Sequence, residues 1–118
     1  MAIKIKEIHV PIYDRLIVVS RGKLEHVLSH VNENYDQKIE AEDGDAEARG
    51  LFVPFISGGD GLIWINNIKS IVHESFHATS YIMSYVGVNH HDCSEEAYAY
   101  LLDYIVDQVK DKTGWQTI

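Results

Sequence analysis

The segment from Ile68 to Val86 constrains the fold most, because its apolar residues recur at the spacing of an amphipathic helix. With 3.6 residues per turn, one side of this helix collects the residues that we predict to face the core: Ile68, Ile71, Val72, Ser75, Phe76, Thr79, Ile82, Met83 and Val86. Gly87 follows directly and predicts the end of the helix. The helix therefore has one side for the core and one for solvent.

The solvent side carries the sequence His-Glu-Ser-Phe-His, an H-E-x-x-H motif. Helical residues four apart lie one turn above each other, so His73 and His77 can bind one Zn²⁺. Glu74, beside them, is placed to take a proton from a water that the ion activates. The motif is the signature of zinc-dependent hydrolases, and it predicts His73 and His77 as metal ligands and Glu74 as the catalytic base.

A hydrolytic zinc site has three protein ligands and an open position for water. Glu95 and Glu96 are candidates for the third ligand, because they open a second helical pattern from Ser94, the expected N-cap, to about Lys112. Its apolar stripe is Tyr98, Leu101, Leu102, Ile105, Val106 and Val109. The short loop between the helices favours an antiparallel pair, which puts Glu96 near the motif only if the helices cross steeply.

Two parts of the sequence together resemble a known family. His73 to His77, followed by Glu-Glu-Ala-Tyr-Ala at positions 95–99, is similar to the gluzincin arrangement, in which a downstream helical glutamate completes the zinc site. The segment from Ile71 to Tyr104 resembles small phage and prophage zinc metallopeptidases. This resemblance implies Glu96 as the third ligand, with Asp103 the nearest acidic residue on the same helix face that could support it.

Other residues leave alternatives open. The loop residues His90, His91, Asp92 and Cys93 could supply the third ligand instead of Glu96. His26 and His30 also lie four apart on a helix, but no acidic ligand pattern adjoins them, which favours solvated side chains. An oxyanion donor is expected as well, and the candidates are Tyr81, Tyr85, Tyr100 and His91.

The rest of the chain predicts an α+β fold with the order β-β-α-β-β-α-α. Before the motif helix we expect these elements: strands at Ile3–Ile8 and Arg15–Ser20, a helix at Lys23–Asn34, an acidic loop at Asp36–Arg49, and strands at Leu51–Ile56 and Leu62–Ile65. Ser-Gly-Gly-Asp-Gly joins the last two strands as a hairpin.

This order suits a minimal zincin-like domain, with about four strands in a small mixed sheet and three helices. In zincins an edge strand above the site pairs with the extended substrate, and we assign Leu62–Ile65 to that position. The alternative is an ordinary hairpin arm with Trp64 packed in the core.

Length and charge bound the remaining possibilities. The 118 residues predict a single domain, 1–118, and the net charge of −8 argues against nucleic-acid binding. No long apolar run suggests a membrane segment, and the single cysteine agrees with a cytoplasmic protein, in the host cytoplasm if phage-encoded. Nothing in the sequence decides the oligomeric state.

The sequence as a whole therefore predicts a Zn²⁺ hydrolase that acts on a peptide or protein. One alternative is an acidic phage-type protein that binds a host factor and keeps a structural or vestigial metal site. Another is hydrolysis of a non-peptide amide.

Overall fold

A four-stranded mixed sheet flanked by three helices forms the structure, a computed structural model that describes residues 3–88 and 95–114. The elements are β1 (Lys4–Val10), β2 (Arg15–Arg21), α1 (Leu24–Tyr35), β3 (Gly50–Pro54), β4 (Gly61–Ile65), α2 (Ile71–Tyr85) and α3 (Glu95–Thr113). Short 3₁₀ turns lie at Asp45–Glu47 and Ile68–Ser70. The predicted α+β class and the order β-β-α-β-β-α-α are confirmed. The predicted N-cap Ser94 lies outside the described residues.

The strand order in the sheet is β1-β2-β4-β3. β4 pairs in parallel with β2 and antiparallel with β3, which confirms the predicted hairpin. The assignment of Leu62–Ile65 to the edge was wrong, because this strand has a neighbour on both sides and β3 is the edge. Trp64 instead packs in the core, with 1% of its surface exposed, and its indole N–H donates to the carbonyl oxygen of Gly22 at 2.8 Å.

The helices cover both faces of the sheet. α2 contacts β3 and β4, and α3 contacts β1, β2 and α2, all on one face. α1 lies on the other face, where it buries the four apolar residues Leu24, Val27, Leu28 and Val31. β2 runs between these layers, and its residues 17–20 are buried on both faces. The site-bearing helix α2 is therefore fixed to the side of the sheet where β3 forms the edge.

The buried side of α2 differs from the predicted one. Val72 and Phe76 were expected in the core, but 56% and 44% of their surfaces are exposed. Glu74 and Ala78 are buried in their place. The helix is thus turned so that Glu74 faces β3, where Gly50 has no side chain to keep the helix away. Helical periodicity predicts the buried side of a helix only approximately. The shape of the neighbouring strand determines which residues lie at the middle of that side.

Among the helices of the two described ranges, none has both the length and the hydropathy needed to cross a bilayer.

Candidate metal centre

His73 and His77 lie one turn apart on the exposed side of α2, as the motif spacing requires. Their Nε2 atoms are 3.1 Å apart, and the two rings stand nearly perpendicular, at 84°. Both side chains are open to solvent. The two imidazole nitrogens therefore lie close together at a position on the helix surface that water can reach.

Glu74 differs from the two histidines, because only 5% of its surface is exposed. Within the described part of the chain, one ligand atom from each of His73, Glu74 and His77 can be chosen so that all lie within 4.8 Å of one another, and no other such group of three occurs there. Burial raises the pKa of the Glu74 carboxyl above its usual range, and the charge of the two imidazoles opposes the rise. A carboxylate with a raised pKa holds a proton more readily, as a general base must.

The backbone of β3 makes room for Glu74. A Cβ atom at Gly50 would lie 3.0 Å from Cγ of Glu74 and 2.5 Å from Oγ of Ser70. The Ser70 hydroxyl is directed at backbone carbonyls, 2.8 Å from that of Arg49 and 2.9 Å from that of Asn67. These contacts join the start of α2 to the start of β3 and fix the position from which Glu74 projects.

A cleft of about 380 Å³ opens beside Glu74. Its lining consists of Arg49, Gly50, Lys69, Ser70, His73 and Glu74. It lies at the N-terminal end of α2 and is bounded on its other side by the start of β3. Glu74 and His73 therefore face a space large enough for an amino-acid side chain or a small molecule.

The donor set fits a zinc ion. Two nitrogens that bind a tetrahedral zinc at roughly 2.0–2.1 Å lie about 3.3 Å apart, close to the 3.1 Å between the two Nε2 atoms. The same separation allows a hydrogen bond between two neutral imidazoles, with the donor set by the tautomer. Imidazole nitrogen and carboxylate oxygen are both ordinary zinc ligands in proteins.

Glu96 lies outside the group formed by His73, Glu74 and His77. Its side chain and that of Glu95 are exposed in the first turn of α3. This turn lies beside the C-terminal end of α2, since the hydroxyl of Tyr98 donates to the carbonyl oxygen of Val88 at 3.3 Å. The structure thus brings together three of the four predicted site residues, and the assignment of Glu96 stays a prediction.

The other candidates divide between surface positions and undescribed ones. The His90-to-Cys93 loop, including the candidate oxyanion donor His91, lies outside the described residues. Tyr81 contacts the β3–β4 turn, where its hydroxyl accepts a hydrogen bond from the Gly59 amide at 3.0 Å, and the Tyr85 ring packs against Arg15 of β2. Tyr100 lines a separate, mainly apolar groove between α3 and the β1–β2 turn.

Sequence reasoning missed four residues of the cleft. Lys69 and Ser70 had a local signal, because they precede His73 by four and three residues and so lie one turn away on the same side of the helix. Arg49 and Gly50 had none, because the pairing of β3 beside β4 brings them to the site across more than twenty residues of sequence.

Comparisons of the chain with protein-family models, with curated proteins and with solved structures found no match.

Proposed function

We propose that this chain is a zinc-dependent hydrolase that cleaves peptides. The observation that carries the proposal is the buried carboxyl of Glu74 beside two exposed imidazoles whose Nε2 atoms lie 3.1 Å apart. Histidine pairs are common on helix surfaces, but a carboxylate buried beside such a pair costs stability, and perturbed carboxyl groups concentrate at functional sites. The burial of Glu74 therefore favours a catalytic function over a chance pair of surface histidines.

Each side chain has a distinct task in this proposal. His73 and His77 hold the ion through Nε2, and Glu96 remains the third ligand implied by the family resemblance. When bound, zinc supplies Lewis-acid polarisation of a carbonyl and lowers the pKa of a coordinated water. Glu74 accepts the proton from the attacking water and returns it to the leaving amine. No hydrogen-bond donor within the described residues occupies the Glu74 carboxylate, which leaves its oxygens available for that proton.

The peptide class of substrate is supported by the edge strand. In antiparallel pairing, alternate residues direct their backbone groups toward the partner strand. The Arg49 carbonyl accepts from Asn66 at 2.8 Å and the Phe55 amide donates to Asp60 at 2.9 Å, so odd-numbered residues of β3 face β4. The amides and carbonyls of Gly50 and Phe52 consequently face the open edge. An extended peptide can add to that edge by main-chain hydrogen bonds and pass beside Glu74.

β3 therefore takes the place that the sequence assigned to Leu62–Ile65. It is the edge strand, and Gly50 at its start contacts Ser70 and Glu74 of the site. The substrate-facing edge and the candidate base are thus parts of one surface.

Glu74→Gln tests the proposal. The amide keeps the size of the side chain but cannot act as a base, so the variant should bind zinc as the wild type does and lose hydrolysis of any peptide that the wild type cleaves. Glu33→Gln, an exposed position on α1, is the matched control and should keep both properties. If the biological effect of the protein survives Glu74→Gln undiminished, the alternative of an acidic host-interaction protein replaces this proposal.

A further inference from the structure

The cleft beside Glu74 carries two positive charges, from Arg49 and Lys69. Both side chains are exposed at its rim. The chain as a whole has a net charge of −8, with 10 lysine and arginine residues against 18 acidic ones. Glu74 is the only acidic residue among the six that line the cleft. The cleft is therefore locally positive in a chain whose net charge is negative.

Within the described residues, neither Arg49 nor Lys69 takes part in an ion pair. The ion pairs that occur there, such as Lys23–Glu25 and His9–Glu7, involve other basic groups. The backbones of both residues are nevertheless held in place. The Arg49 carbonyl accepts hydrogen bonds from Asn66 and Ser70, and the Lys69 amide donates to the side chain of Asn67 at 2.9 Å. The two charges thus project from fixed positions and remain free to bind a ligand.

Their location relates them to the substrate path. Lys69 lies one turn before His73, and Arg49 immediately precedes the edge residue Gly50. A peptide added to the edge of β3 with its scissile bond at Glu74 would place an adjoining group in this cleft. The volume of about 380 Å³ accommodates an amino-acid side chain or a chain terminus.

We propose that Arg49 and Lys69 form a subsite for a carboxylate of the substrate, next to the bond that is cleaved. The inference rests on the proposed peptidase function and adds to it a class of substrate, peptides with an acidic group at that position. Arg49 can bind a carboxylate through two parallel N–H donors, and Lys69 adds a point charge. The carboxylate can belong to an Asp or Glu side chain or to the C-terminus of the peptide.

Labelled peptides test the subsite by binding and by cleavage. The set compares Glu with Gln at each position, and a free with an amidated C-terminus. Binding is measured to zinc-loaded Glu74→Gln protein, and cleavage is measured with zinc-loaded wild type. The test variant combines Arg49→Gln with Lys69→Gln. Its control combines Lys6→Gln with Lys38→Gln, which removes the same charge from exposed positions outside the cleft. Both variants are made in each background, and thermal unfolding checks that they fold.

The expected result is a preference for acidic peptides that falls about tenfold in the test variant and is unchanged in the control. A preference for Glu at one position identifies a side-chain carboxylate, and a preference for the free terminus identifies a C-terminal one. Cleavage with no acidic preference, or with a preference that survives the test variant, overturns the subsite and leaves the peptidase proposal standing. Binding of acidic peptides that is lost in the test variant, but without cleavage by the wild type, supports a carboxylate-binding site at Arg49 and Lys69 and overturns the peptidase proposal. If no peptide is bound and none is cleaved, the subsite and the peptidase proposal are both overturned.

Discussion

Gly50 and Glu74 are in such close contact that the space beside the glycine exists only because it has no side chain. A Cβ atom added at Gly50 would lie 3.0 Å from Cγ of Glu74 and 2.9 Å from the carbonyl oxygen of Trp64. The edge strand β3 and the motif helix α2 thereby approach each other at the candidate base. The position of Glu74 depends on this approach, because the helix would otherwise be held away from the strand.

Gly50→Ala should therefore destabilise the protein. The methyl group meets backbone as well as side-chain atoms, so the strand must shift, and overpacking of this kind costs about 1–3 kcal/mol. Chemical denaturation measures the loss. Gly44→Ala is a useful comparison, because nothing lies within 4 Å of the added Cβ there and only its φ of +88° is unfavourable. Unchanged stability of Gly50→Ala would show that α2 does not depend on the close approach.

Glu74→Gln should change how the stability of the metal-free protein depends on pH. The folded-state pKa of Glu74 lies above its ordinary value of 4.5. The contribution of Glu74 to the free energy of unfolding is therefore fully present below pH 4.5. It is lost as the pH rises through the folded-state pKa. The glutamine variant has no such loss and should be the more stable protein at pH 7, with the difference shrinking toward pH 4. Denaturation of chelator-treated protein across this range measures the effect.

Glu33→Gln is the control for that experiment, since its exposed carboxyl should give no comparable gain. A Glu74→Gln protein that is no more stable than the wild type at pH 7 would contradict the burial of the charge.

The order of the elements could be predicted from the sequence because local patterns determine it. The four apolar positions of α1 and the glycine-rich β3–β4 turn are visible without any tertiary information. The centre of the buried stripe of α2 is not, since it depends on the missing side chain of Gly50 in a strand that pairs elsewhere. For this reason Glu74 and Ala78 are buried, and Val72 and Phe76, which were predicted to be buried, are exposed.

The edge strand was misassigned although the sequence held two signals. Leu62–Ile65 is a continuous apolar run, which is typical of a strand buried on both faces. β3 contains Pro54, which lacks an amide and is found at sheet edges. The position of Arg49 at the site could be learned only from the structure. The position of Lys69 could have been predicted from the helical spacing.

Ser75→Ala should leave the protein equally stable or stabilise it by up to about 1 kcal/mol. Within the described residues, the Ser75 hydroxyl oxygen is fully enclosed and has no hydrogen-bond partner, and alanine is the better helix former. Ser20→Ala is the matched control. Its hydroxyl is equally buried but donates to the Ile63 carbonyl at 3.0 Å, so its loss should cost about 1 kcal/mol. Denaturation midpoints that rank the two variants the other way would show that Ser75 has a partner in solution.

The third ligand can be tested by metal content after dialysis against a chelator. If Glu96 completes the site, Glu96→Ala should lose zinc readily, and Glu95→Ala should behave as the wild type, because neighbouring helical side chains point about 100° apart. The reverse order would make Glu95 the ligand. If neither substitution matters, the third ligand belongs to the His90-to-Cys93 loop.

The central claim is that His73 and His77 hold a zinc ion, and the zinc content of protein purified without a metal-affinity tag tests it most directly. We expect about one equivalent per chain in the wild type. His73→Ala and His77→Ala should each lose it, whereas His30→Ala, which removes an exposed histidine from α1, should keep it. Full zinc content in both motif variants, or a wild type that takes up no zinc from a zinc-containing buffer, would contradict the claim.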